Sequence, residues 1–112
     1  MGQFKSTMRK GFHMTFENGL TVSVQWGLGN YCDNRNIMDF SFTKDMESSD
    51  AEVGVFHGER ILNVNNFLSE KDACWHDDVA GYLTPEQVVD LLVRVKEYPA
   101  DKIDELVPPM YG

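Results

Sequence analysis

Two alternating segments joined by a short turn constrain the fold of this chain more than any other feature. Apolar and polar residues alternate over residues 12–16 and 20–26, with Glu17-Asn18-Gly19 between them, which predicts a β-hairpin. A two-residue loop would scatter the apolar side chains over both faces, so we predict a three-residue loop with Gly19 in the left-handed position of a G1 bulge. This loop gathers three apolar pairs on one face: Phe16 with Leu20, Met14 with Val22, and Phe12 with Val24.

Three further segments have the composition of strands. Residues 37–42 alternate, with Met38, Phe40 and Phe42 predicted to face inward. Residues 51–56 and 60–64 are predicted to be strands joined by a turn at His57-Gly58-Glu59. Residues 65–78 are polar and predicted to be irregular, and residues 79–83 form a short extended segment.

A C-terminal helix is predicted from residue 84 to residue 98. Thr84 is a suitable N-cap, Pro85 suits the first helical position, and Gln87 completes a capping box. Pro99 stops the helix. One apolar stripe is expected to face the core: Val88, Leu91, Leu92 and Val95.

Together these elements predict an α+β fold, an antiparallel sheet of about five strands with one C-terminal helix packed on a face. Residues 1–112 are expected to form a single domain, with residues 1–10 as a disordered N-terminal arm. A five-stranded meander leaves exposed sheet edges, and we therefore expect a homo-oligomer formed by edge pairing.

The charge of the chain narrows the choice of partners. Ten Lys and Arg oppose eighteen Asp and Glu, a net charge of −8, which disfavours nucleic-acid binding because phosphate contacts need clustered cations. No apolar run approaches the ~18 residues of a membrane span, and the basic N-terminal residues are not followed by the apolar run of a signal peptide. We expect no membrane association and a cytosolic setting, in which the two cysteines are free thiols.

The segment 25–35 after the hairpin is the candidate ligand site. It carries planar faces for stacking, amides that read the edge of a ligand, and a guanidinium that pairs with phosphate. These groups belong to Trp26 and Tyr31, to Asn30 and Asn34, and to Arg35. The alternative is structural: Trp26 ends the inward-facing series of the hairpin, Tyr31 covers the core edge, and the two asparagines support turns.

Catalytic and metal sites are weaker alternatives. Cys32 as a nucleophile would sit beside Asp33, whose charge raises the pKa of a thiol. A zinc site from Cys32, Cys74 and the three histidines lacks the close paired spacing of such sites. No cofactor motif is complete, so we expect no cofactor, no metal and no enzymatic activity.

Three runs carry a resemblance to a known group: residues 21–32 (TVSVQWGLGNYC), 51–56 (AEVGVF) and 81–86 (GYLTPE). They resemble small, uncharacterised bacteriophage and prophage accessory proteins with a VSVQWGxGNYC-type loop. The resemblance implies a phage protein that acts in the host cytoplasm against host defence. Two modes of action are open: sequestration of a nucleotide-derived signal at the 25–35 segment, or docking of the acidic stretches 45–52 and 70–78 on a host defence protein.

Overall fold

The computed structural model describes residues 2–6, 10–27, 30–34, 47–68, 75–76 and 78–106. These residues form a seven-stranded antiparallel sheet and one α-helix, which confirms the predicted α+β fold. The strands are β1 (Gln3–Ser6), β2 (Gly11–Thr15), β3 (Leu20–Gln25), β4 (Ala51–His57), β5 (Arg60–Leu62), β6 (Trp75–His76) and β7 (Val79–Leu83). The helix α1 spans Pro85–Lys96, and two 3-10 helices span Val64–Asn66 and Ala100–Glu105.

The β2–β3 hairpin has the predicted three-residue loop. Phe12 lies opposite Val24 and Met14 opposite Val22. The backbone N–H of Phe16 donates to the Leu20 oxygen at 2.9 Å, which places the third apolar pair in register. Gly19 has a φ of +93°, the left-handed conformation that glycine adopts without steric cost. The apolar pattern therefore determined the register correctly.

The sheet is not the simple meander expected from sequential pairing. Its strand order is β1-β2-β3-β4-β7-β6, and β5 also pairs with β4. The edge of β4 away from β3 is shared, because β7 pairs near Ala51 and Val53 while β5 pairs from Val55 to His57. The predicted strand over residues 37–42 lies outside the described residues.

The N-terminal segment differs from its prediction. Residues 3–6, assigned to a disordered arm, form β1 and pair antiparallel with β2. All four residues are exposed, and the side chain of Phe4 is 75% exposed. This short strand carries little apolar signal of its own, and it is ordered by pairing with the free edge of β2.

The predicted strand 60–64 is shorter than expected. β5 ends at Leu62, and the chain then enters the 3-10 helix Val64–Asn66. The Oδ1 atom of Asn63 accepts the N–H of Asn65 at 2.9 Å. This local side-chain hydrogen bond takes the place of the strand-to-strand hydrogen bonds with β4.

Helix α1 begins as the sequence predicts. Thr84 Oγ1 accepts the N–H of Gln87 at 3.3 Å, and Gln87 Oε1 accepts the N–H of Thr84 at 2.9 Å, which completes the capping box. Leu91 and Val95 are buried, and the other two stripe residues are partly buried against the core. Within the part of the chain that the structure describes, no helix is long and apolar enough to cross a membrane.

The core lies between α1 and one face of the sheet. The helix packs over β3, β4 and β7, the strands in the middle of the sheet. Alternate residues of β3 point to this side, as the burial of Leu20, Val22 and Val24 shows. The N-terminal end of α1 lies close to the end of β3. The candidate site begins at this point.

Candidate functional site

Trp26 connects the end of β3 to the candidate loop. Its backbone N–H donates to the Lys10 oxygen at 2.7 Å, which continues the pairing of β2 with β3 by one residue. Its indole packs edge-on against Phe12, with ring centroids 6.2 Å apart, and the residue is partly buried against the core. Trp26 therefore has a structural role as well as a position at the surface.

The two predicted amides hold the loop in place. Asn30 Oδ1 accepts the Gly27 N–H at 3.0 Å, and Asn30 Nδ2 donates to Glu52 on β4 at 2.8 Å. Asn34 Nδ2 donates to the backbone oxygens of Trp26 and Glu47, each at 2.7 Å. These contacts support the structural interpretation of both asparagines, since each amide already bonds within the chain.

Tyr31 lies beside a bulge in β7. The register shifts between the Ala51–Leu83 and Val53–Ala80 pairs, which places two residues of β7 opposite Glu52. In this bulge Tyr82 has a φ of +57°, a conformation that costs a non-glycine residue about 1–3 kcal/mol. The Tyr82 N–H donates to the Tyr31 oxygen at 2.8 Å, so the bulge anchors the candidate loop to the sheet.

Cys32 is the buried centre of the loop. The residue is 1% exposed, and its Sγ lies 3.7 Å from the Gly27 oxygen. Burial raises the pKa of the Cys32 thiol, and the charges of Asp50 and Asp33 raise it further, against lowering contacts from the Asn34 backbone and Ser48. A buried, protonated thiol is a poor nucleophile.

The fifth predicted site residue, Arg35, lies outside the described residues, and its contact with phosphate stays a prediction. The structure places the other four, Trp26, Asn30, Tyr31 and Asn34, on one loop. Among the residues whose side chains are described, no group of three His, Cys, Asp or Glu could hold a metal ion. Cys74 and the side chain of His76 belong to the part that is not described.

An open cleft of about 750 Å³ lies beside Trp26. Its described lining comprises Trp26, Asp33, Glu47, Ser48 and Ser49. The Asp33 N–H donates to Asp50 Oδ1 at 2.7 Å, and the Ser49 hydroxyl donates to Asp33 Oδ2. These contacts join the loop to the segment before β4. The carboxylates of Asp33 and Glu47 make the described lining of the cleft acidic.

A second cavity of about 310 Å³ opens next to the cleft, between the N-terminal half of α1 and the sheet. Its accessible surface is almost entirely apolar and includes Phe12, Val24, Trp26, Leu83, Val88 and Leu92, while Ser48, Ser49 and Asp50 line the side that faces the cleft. We call this cavity the apolar groove. Trp26, Ser48 and Ser49 line both cavities, so the cleft and the groove adjoin. Sequence reasoning identified Trp26 and the acidic stretch 45–52 but did not bring them together.

No protein family, curated protein or solved structure matches this chain. The resemblance to phage accessory proteins accordingly stays a prediction.

Proposed function

We propose that this chain is a non-enzymatic binding protein that docks on a basic and partly apolar segment of another protein. The observation that carries the proposal is the position of Trp26, which lines both an acidic cleft and an apolar groove. A surface with these two neighbouring parts suits a partner that offers a cation and an apolar side chain close together.

The negative charge of the cleft and of the whole chain supports a partner protein with a basic surface. Asp33 and Glu47 line the cleft, and Asp50 contacts the loop beside it. The whole chain carries a net charge of −8, so its field attracts cationic surfaces and accelerates their association at low salt. Exposed charges are screened beyond about 8–10 Å at physiological ionic strength, which makes such docking sensitive to salt.

Nucleotide sequestration is the rival proposal. The size of the cleft and the aromatic ring of Trp26 favour it. The carboxylates of Asp33 and Glu47 oppose it, because they would repel the phosphates of a ligand in the cleft. The amides of Asn30 and Asn34 also already donate hydrogen bonds within the chain. Protein docking therefore has the stronger physical support.

The resemblance to phage proteins suggests where the partner is found. If the chain acts in the cytoplasm of a bacterial host, its partner in this proposal is a host defence protein with a basic surface.

The test compares two charge-matched variants in capture from bacterial lysate at low salt. D33N/E47Q removes two carboxylates from the cleft, and D101N/E105Q removes two from exposed positions in the second 3-10 helix. We expect a captured protein that D33N/E47Q loses and D101N/E105Q retains. Equal retention by both variants, or a thermal shift with cyclic nucleotides in place of a captured protein, would overturn the proposal.

A further inference from the structure

The apolar groove is small for a binding pocket. Its volume of about 310 Å³ lies at the lower end of the ~300–1,000 Å³ that small-molecule pockets span. Phe12, Val24 and Leu83 line its sheet side, while Val88 and Leu92 line its helix side. An apolar group that enters this space would lose its contact with water on several sides.

The rim of the groove is also apolar on its helix side. Val89 lines the groove, and its side chain is 59% exposed. Leu92, one turn further on, is only partly buried. An occupant of the groove would cover both side chains, so the helix surface that the core leaves uncovered is part of the same site.

We propose that the groove receives one bulky apolar side chain of the partner segment and that a Lys or Arg adjacent to it in the segment reaches the carboxylates of the cleft. This inference rests on the proposed function and names the recognition element. The adjoining position of the two cavities gives the reason, since Trp26, Ser48 and Ser49 line both. An apolar group in the groove therefore places its neighbour beside Asp33 and Glu47.

Charge complementarity selects among possible occupants. A segment with an acidic residue next to the apolar anchor would bring its carboxylate towards Asp33 and Glu47, and like charges repel. A purely apolar segment would bring no cation to the cleft carboxylates. A segment in which a cation follows the apolar anchor complements both the groove and the cleft. The predicted motif is therefore a bulky apolar residue beside Lys or Arg.

Three probes with the same apolar body test the inference on the intact chain. They are 4-phenylbutylammonium, 4-phenylbutanol and 5-phenylpentanoate, in which a phenyl ring and four methylenes carry a positive, neutral or negative end. Amide chemical shifts of α1 residues report binding in the groove. We expect the ammonium to bind at least tenfold more tightly than the carboxylate at low salt, with the alcohol between them, and this difference to shrink as salt rises.

One pair of single variants and one double variant separate the apolar and ionic contributions. Val89→Arg places a charged side chain at the rim, and Val93→Arg places the same charge one turn away at a position that is 43% exposed and outside the groove lining. We expect Val89→Arg to weaken the alcohol at least fivefold and Val93→Arg to leave it unchanged. D33N/E47Q should reduce the preference for ammonium over alcohol while the alcohol still binds, and the carboxylate of Asp50, which also lines the groove, accounts for any preference that remains.

The failures of the two proposals are distinguishable. If no probe shifts the groove amides, or if Val89→Arg and Val93→Arg behave alike, the groove is not an anchor pocket. Equal binding of the three probes would exclude the adjacent cation. A lysate partner lost by D33N/E47Q but retained by Val89→Arg would leave the acidic docking function in place and remove the groove from it.

Discussion

The side-chain amide of Asn18 donates to the backbone oxygen of Val95 at 2.8 Å. The two residues are 77 positions apart, in the turn of the β2–β3 hairpin and in the last turn of α1. The same Nδ2 also lies 2.9 Å from the Tyr98 oxygen. The hairpin turn thus caps the C-terminus of the helix, where backbone oxygens have no partner within the helix.

Asn18→Asp is expected to destabilise the fold by about 1–3 kcal/mol, because it removes the donor and brings a negative charge to the helix C-terminus. The substitution keeps an Oδ1 atom that can accept the Leu20 N–H, as Asn18 Oδ1 does at 3.0 Å, so the turn itself is retained. Urea unfolding measures the change. Asn65→Asp, at an exposed position, adds the same charge and should stay within about 0.5 kcal/mol of the unmodified chain.

Leu91→Ala is expected to cost about 2–5 kcal/mol in unfolding free energy, because Leu91 is 2% exposed in the core. Leu92→Ala should cost less, since Leu92 is only partly buried at the groove. Val93→Ala, at an exposed position, should cost less than about 0.5 kcal/mol. A larger loss for Leu92→Ala than for Leu91→Ala would contradict the observed orientation of α1.

Cys32 predicts a specific dependence of stability on pH. Burial raises the pKa of its thiol in the folded chain, whereas the pKa of an unfolded thiol is about 8.5. Above that pH the unfolded chain releases a proton that the folded chain retains, so the unfolding free energy falls as pH rises. Cys32→Ala should remove this part of the slope in urea titrations between pH 7.5 and 10. Parallel curves for the two proteins would show that Cys32 does not contribute.

Phe4 is expected to support pairing between copies of the chain at the edge strand β1. The predicted homo-oligomer needs a free sheet edge, and β1 is the last strand on its side of the described sheet. Phe4 lies opposite Met14 and is 75% exposed. Phe4→Ser should lower the mass seen by light scattering, while Gln3→Ser, on the other face of the strand, should not. A monomer at every soluble concentration would refute edge pairing.

Local sequence patterns by themselves predicted much of this fold. The alternation around Glu17-Asn18-Gly19 predicted the hairpin register, because a shift of one residue would have moved every apolar side chain to the wrong face. Thr84, Pro85 and Gln87 predicted the start of the helix, since capping depends on residues only three positions apart. The alternation also placed Trp26 at the end of the second hairpin strand, and it directly follows β3, whereas its part in ligand binding stays a prediction.

Tertiary structure decided which distant segments meet. The sequence did not indicate that β7 would share the edge of β4 with β5, or that the Tyr82 bulge would hold the Tyr31 backbone. Asn18 was predicted as a turn residue, but its contact with Val95 depends on where the helix crosses the sheet. Apolar periodicity specifies which face of an element is buried, whereas long-range pairing depends on which edges and helix ends remain unsatisfied after the local elements have formed.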